Sequence, residues 1–407
     1  MNMNKQVAEL SFGKVLAAAA LMVATAGYAK APAAPQEQTR LKFGPVSALT
    51  HIYVEQAQDN NIYLTRTSTV SSGIFQPGAG LMLGIFGKRG MVELDYDVRM
   101  LQYSVKPKTN NAVHQTAGLG AVYDFGMKRK VSLDDNFQST TDPASNEVTA
   151  RAHRNQNDVN GSVDWPLGKK AFVGVEVRDT IHVYMKKELA DIMDRNELGI
   201  GPRIGYDLSA KTRTFLKYDI GSVTYSTTAA GKDNSTGTIL GGVEGELTSR
   251  ITGRVELGVY SRKYDLSSTL MTNSQSSAAA NAKVTWKAPE EITVVVMAAR
   301  GPKEGIFNRF YVSTLGALDI SKPFMKGEIT PSLNAMFSND QYPDTVAIGT
   351  EKFDRTDTII QAGASIVWQA AKYAQVRGGY LYRSRASNVE IYKYTDGIGT
   401  VGLHLIY

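Results

Sequence analysis

Cysteine is absent from all 407 residues. That excludes disulfides, thiol chemistry and thiolate-ligated metals. The five histidines (His51, His114, His153, His182 and His404) are scattered without ligand spacing, so no metal site is expected, and no cofactor. No motif sets a nucleophile beside a base, and no enzyme is expected. The formal net charge is only +6 and no long basic run occurs, which leaves nucleic acid without support as a partner. Past the first 30 residues there is no apolar stretch long enough for a spanning helix, so a helical inner-membrane protein is also excluded.

The one apolar run is short. Val15–Thr25 follows Lys5 and Lys14 and precedes Gly27 and Ala29, small residues at −3 and −1 of a cut after Ala29. This reads as a secretory signal peptide over 1–29, followed by a flexible periplasmic leader over 30–39. A barrel domain is expected over 40–407.

From Leu41 onward, strand-length stretches alternate with two kinds of connection. Tight ones carry Gly, Ser, Ala and Lys: Gly87–Arg89, Gly126–Lys128, Gly168-Lys169, Ser209–Lys211, Ser249-Arg250, Lys287–Pro289, Ser321–Pro323 and Ala370–Lys372. Longer polar ones fall at 59–67, 106–111, 140–154, 186–196, 227–234, 265–274, 300–307, 339–355 and 385–394. Eight turns and nine loops imply 18 strands, at about 21 residues for each strand with its connection. The fold class expected is all-β: a transmembrane antiparallel up-and-down barrel with short periplasmic turns and longer extracellular loops.

The strands alternate as such a barrel requires. In the last one, Val401, Leu403, Leu405 and Tyr407 share a face, and Thr400, Gly402 and His404 the other. In Val92–Tyr103, apolar Val92, Leu94, Tyr96, Val98 and Met100 oppose Glu93, Asp95, Asp97 and Arg99. A soluble sheet also alternates, but rarely about eighteen times without a helix to cover the apolar face. Trp165, Trp286, Trp368, Tyr123, Tyr206 and Tyr407 fall on that face near the short turns, as an aromatic girdle at the periplasmic interface would. Inward glycines such as Gly78, Gly80, Gly199 and Gly205 leave room for neighbouring side chains.

The candidate functional set is the inward charged ladder, because rings of charge set selectivity where water is confined. Its principal members are Arg377, Arg383, Arg385, Arg254, Glu256, Arg262, Glu176, Arg178, Asp95, Asp97 and Arg99. Glu93, Arg203, Asp207, Lys217, Asp219, Glu244 and Glu246 belong to the same face. Most are expected to pair across strands and brace the wall. Arg377, Arg383 and Arg385 are expected to escape pairing, since their strand offers no acid before Glu390; they favour an anionic solute. Inward Tyr103, Tyr225, Tyr260 and Tyr264 form either a stacking track for sugars or filling against the glycines. Lys186–Asp194 has helical character. The longest loop, 339–355, carries Asp340, Asp344, Glu351 and Asp354; without EF-hand spacing it is expected as a solvated loop, with Ca²⁺ binding or a constriction folded into the lumen as the alternatives.

The stretch Asp59-Asn60-Asn61-Ile62-Tyr63-Leu64-Thr65, with the paired Tyr and Arg of Gly258–Tyr264 and Gly379–Arg383, resembles the putative outer-membrane β-barrel porin 2 family. The resemblance implies a non-catalytic outer-membrane barrel of a Gram-negative-type bacterium, associated with exopolysaccharide export. It implies as partners outer-membrane lipid and lipopolysaccharide, the barrel assembly machinery through the C-terminal strand, and a periplasmic polysaccharide-export component. The function expected is therefore the outer-membrane conduit for a secreted exopolysaccharide. A general or anion-selective diffusion porin and a non-conducting structural barrel are the alternatives.

Overall fold

The structure, a computed structural model, describes residues 41–407 apart from 127–128, 144–150, 228–230, 266–272, 307, 344–345 and 349–350. The expected signal peptide and leader lie outside the described residues.

Eighteen long antiparallel strands form one closed barrel. In chain order they are β1 Val46–Asp59, β2 Ser72–Phe86, β3 Gly90–Tyr103, β4 Ala112–Gly126, β5 Arg129–Thr140 and β6 Arg154–Leu167. Then come β7 Ala171–Tyr184, β8 Arg195–Asp207, β9 Thr212–Tyr225, β10 Asn234–Glu246, β11 Ile251–Tyr264 and β12 Ser274–Lys287. The last third comprises β13 Thr293–Glu304, β14 Phe310–Ser321, β15 Ile329–Gln341, β16 Thr356–Ala371, β17 Ala374–Ser387 and β18 Tyr394–Ile406. Each strand pairs with its neighbours in sequence, and β1 closes on β18 from His51–Ile406 to Asp59–Ile398. Closure removes both sheet edges, which a bilayer would leave without hydrogen-bond partners.

The short connections and the long ones fall at opposite ends, as their composition implies. Gly168 turns between β6 and β7 at φ 75°, the left-handed region that a side chain disfavours. Two short helices sit among the long connections, α1 Pro107–Asn110 and α2 Lys187–Met193; α2 is where the sequence is helical in character. Loop 342–355 contains a small hairpin of its own, Val346–Ile348 with Glu351–Phe353.

The apolar faces point out. Leu94, Leu257 and Val401 are 47%, 63% and 56% exposed, which is the accessibility of a lipid face rather than a core. All three tryptophans share that face beside the short turns, with Tyr123, Tyr206 and Tyr407. Inward glycines are matched to inward rings: a Cβ on Gly78 would lie 2.2 Å from the Tyr53 ring, and one on Gly205 would lie 2.3 Å from Phe172.

One part of the wall departs from the ladder. β12 and β13 pair only from Lys287–Thr293 to Ala280–Arg300. Above Arg300, Gly301–Glu304 pair with β14 alone, and Ser274–Ala279 pair with β11 alone. The break falls at Gly301-Pro302, where proline supplies no N–H for a ladder and is tolerated only at an edge.

Candidate functional site

The lumen wall carries the charge, and strand order determines which charges meet. Between β6 and β11 they form one continuous network. Arg203 on β8 reaches Asp164 at 2.6 Å, Glu176 at 2.9 Å and Glu244 at 3.4 Å. Arg254 on β11 reaches Glu256 at 2.6 Å, Glu176 at 2.8 Å and Glu244 at 3.2 Å. Lys217 lies 2.9 Å from Glu176, 3.0 Å from Asp219 and 3.5 Å from Glu256. Arg213 adds Asp164 at 2.7 Å and Asp207 at 3.6 Å. Phe172 and Phe215 lie beneath it, with Arg213 4.4 Å from the first ring and Arg254 4.7 Å from the second. Glu176 alone faces three cations, so most of this part of the ladder braces the wall. Glu246 stands apart, on Lys211 at 2.6 Å.

A second cluster joins the closing strands. The His51, Tyr53 and His404 rings stack, with centroids 5.8 and 4.8 Å apart. Asp97 accepts from Tyr53 at 2.8 Å and lies 3.0 Å from His51, while Glu55 lies 2.9 Å from His404. His51 and His404, far apart in sequence, are thus partners of inward carboxylates, and no cluster of three or more metal-ligating side chains occurs among the described residues. Glu93 and Arg99 lie on the same face of β3, each engaged with protein neighbours.

The arginine trio of β17 divides. Arg383 pairs with Asp396 at 2.6 Å, both buried, which corrects the expectation that it stands unpaired. The acid comes from the register partner on β18, so a search along the arginine's own strand misses it. Arg385 donates to the Tyr392 carbonyl and stacks on Tyr394 at 4.8 Å, so it too is engaged. Arg377 differs: it donates to the Gln375 amide oxygen at 2.8 and 3.2 Å and has no carboxylate within 4 Å among the described residues. Arg178 on β7 is exposed to the lumen and likewise has no ion-pair partner among the described residues. A Cβ on Gly199 would lie 3.2 Å from its guanidinium, so that glycine makes its room. Asp95 is the exposed acid on β3, without an ion-pair partner among the described residues.

The four inward tyrosines are buried at 3–7% exposure and are committed to protein partners. Arg151 lies 4.6 Å over Tyr103, Tyr225 donates to Glu304 at 3.0 Å, Tyr260 meets the Arg262 guanidinium, and Tyr264 stacks on Phe310 with centroids 6.1 Å apart. They are packing, not the free stacking track that their spacing invites.

Among the described residues, the segment that leaves the wall for the lumen is the β13–β14 hairpin. Having left the wall at Gly301-Pro302, it crosses toward β7–β11. Glu304 meets Arg262 at 2.5 Å, with both side chains almost fully buried. Lys232 donates to the carbonyls of Gly305 and Ile306 at 3.1 and 2.5 Å. Ile306 packs against Tyr184 and Met193, so α2 serves as the wall on which the tip rests. The sequence signal was a Gly-Pro pair within a strand, ahead of one of the shorter polar loops. Loop 342–355 is instead pinned at its base. Arg355 meets Asp357 at 2.5 Å and lies 4.2 Å from Tyr342 and 3.4 Å from Tyr392. Burial pulls the Arg355 guanidinium down, but its bonds to Asp357 outweigh that and the net shift is upward. Asp340 accepts from Ser313 and Ser338, and Asp344 lies outside the described residues.

The sequence profile of the family described as putative beta-barrel porin 2 matches residues 87–407. No curated protein matches. Among solved structures, a BenF-like porin from Pseudomonas fluorescens Pf-5 shares 9% identity over 90% of this chain and 100% of that one, with a TM-score of 0.48. OmpF of Salmonella typhi, in complex with daunomycin, shares 12% over 90% and 100%, with a TM-score of 0.42. The FrpB iron transporter from Neisseria meningitidis shares 8% over 83% of this chain, with a TM-score of 0.41; this chain spans 62% of its length.

Proposed function

Because the chain belongs to the putative beta-barrel porin 2 family and is a porin-like outer-membrane barrel, we propose that it is a passive channel for small hydrophilic solutes in a Gram-negative-type outer membrane. The observation that carries this reading is the inward hairpin, which narrows a charged lumen at Glu304, Arg262 and Lys232. A solute passing it meets lumen-facing charges that have no counter-ion among the described residues, Asp95, Arg178 and Arg377 among them. These act where water is confined and their fields are less screened than in bulk. Selection is by size at the hairpin and by charge along the wall, and no bond is made or broken. On this reading the C-terminal strand is the part handed to the barrel assembly machinery, and lipopolysaccharide surrounds the outer half.

A second reading, the exit of a secreted exopolysaccharide with a periplasmic export component below it, is favoured by one feature. The hairpin is not laddered to β12; side-chain contacts from Lys232, Arg262 and Tyr225 and the packing of Ile306 and Phe310 hold it across the lumen, and its displacement would widen the path.

Single-channel recording in planar bilayers separates the readings. The refolded barrel is compared with a Lys232→Ala/Glu304→Gln variant, with and without anionic oligosaccharide fragments. Steady wild-type conductance indifferent to the fragments supports the small-solute channel. Block by fragments in the hairpin-released variant alone supports the polymer exit. Silence from both folded proteins overturns both readings in favour of a structural barrel.

A further inference from the structure

The hairpin that narrows the lumen also opens the wall it leaves. Ser274–Ala279 of β12 face the vacated position with no ladder partner on that side, and their outward residues Ser274, Ser276 and Ala278 are small and exposed. Bare backbone N–H and C=O groups are not left against hydrocarbon; they occur at membrane depth only where they line water or protein.

An independent feature marks the floor of this notch. Arg300 shares the lipid-facing side of β13 with Val296 and sits at the last rung of the β12–β13 ladder. It donates to the neutral Thr314 hydroxyl on β14. It lies six positions beyond Val294, the register partner of Trp286. At about 3.4 Å per residue and a tilt near 40°, that is about 15 Å above the girdle, the middle of the apolar band. A guanidinium on the lipid side at that depth, beside a bare strand edge, is a site for an anionic group that arrives from the membrane.

We propose that the β12–β13 notch is a lateral site for an anionic amphiphile of the outer leaflet. Its head group enters beside Arg300 and the bare edge of β12, and its acyl chain stays in the bilayer.

The absence of cysteine makes a clean test. A single Ala278→Cys substitution carries an environment-sensitive fluorophore, and the full-length barrel is placed in nanodiscs. It is titrated with dodecyl phosphate, with inorganic phosphate and with the neutral amphiphile dodecyl maltoside. The expected result is a saturable shift with dodecyl phosphate alone, weakened at least fivefold (roughly 1 kcal/mol) by Arg300→Gln and largely restored by Arg300→Lys. An equal response to dodecyl maltoside would overturn the charge argument. An equal response to inorganic phosphate would assign a lumen anion site instead. An unchanged dodecyl phosphate response in a folded Arg300→Gln barrel, or spontaneous cross-linking of the introduced thiol between copies that excludes the probe, would overturn the proposal outright. Conductance of the same preparation reports independently on the channel reading.

Discussion

Arg383 on β17 and Asp396 on β18 are register partners whose side chains meet at 2.6 Å, both buried. Taking one charge away leaves the other buried and uncompensated, which typically costs about 3–5 kcal/mol. Asp396→Asn and Arg383→Ala are each expected to lower resistance to urea by that order, measured by tryptophan fluorescence of the reconstituted barrel. The Arg383→Met/Asp396→Leu double variant should recover most of the loss, since it removes both charges. Neither single variant should change ion selectivity. A selectivity change at unaltered stability would return Arg383 to the solute path.

The opposite behaviour is expected of Arg178 and Arg377, which have no carboxylate within 4 Å among the described residues. A unit charge about 8 Å from an ion path is worth about 0.5 kcal/mol in water-like dielectric, roughly a twofold change in local ion concentration. Arg178→Ala and Arg377→Ala should each move the reversal potential in a potassium chloride gradient toward cation selectivity by that factor. The shift should shrink in 1 M salt, where the screening length is about 3 Å. Equal selectivity of wild type and double variant would place both arginines off the path.

Release of the hairpin is the third prediction. Lys232 gives it two carbonyl contacts, and Glu304 gives it the pairing with Arg262 and the Tyr225 bond. Hydrogen bonds to charged groups contribute about 1.5–3 kcal/mol each. The Lys232→Ala/Glu304→Gln variant should therefore populate a displaced hairpin. It should show a larger and noisier single-channel conductance, and faster protease cleavage within 301–309 from the outside. Unaltered conductance with unaltered cleavage would mean that Ile306 packing on Tyr184 and Met193 holds the hairpin by itself.

Strand number, facing and the girdle were legible in the sequence because each rests on a local rule. Alternation assigns Leu94 and Val401 to lipid without reference to any other strand, and Gly168 marks its turn by itself. Partner choice is not local. Arg203 meets Glu244 two strands away only because the wall curves, and Arg383 meets Asp396 because the β17–β18 ladder sets the two in register. The hairpin lay between these cases. Gly301-Pro302 announces that β13 cannot continue as an interior strand, but nothing in the sequence says that the released end turns into the lumen. For the tyrosines the two alternatives stayed open for a related reason: inward facing was readable, whereas burial depended on Arg151, Glu304 and Phe310 arriving from distant segments.

Arg300 and Leu257 occupy the same depth by the same measure. Each lies six positions beyond the register partner of Trp286, Val294 on one side and Ile251 on the other, and each is on the outward face. Leu257 is on the intact wall, so Leu257→Arg should cost about 2–4 kcal/mol, as for a cation at the middle of a barrel's lipid face. If Arg300 stood against lipid in the same way, Arg300→Leu would stabilise the barrel by a similar amount. Beside a hydrated notch the arginine is already solvated, and removing it should change stability by less than about 1 kcal/mol, the range of a cation near the interface. Urea unfolding into vesicles gives both numbers. A large gain from Arg300→Leu would show that hydrocarbon reaches the β12 edge and that the notch is closed.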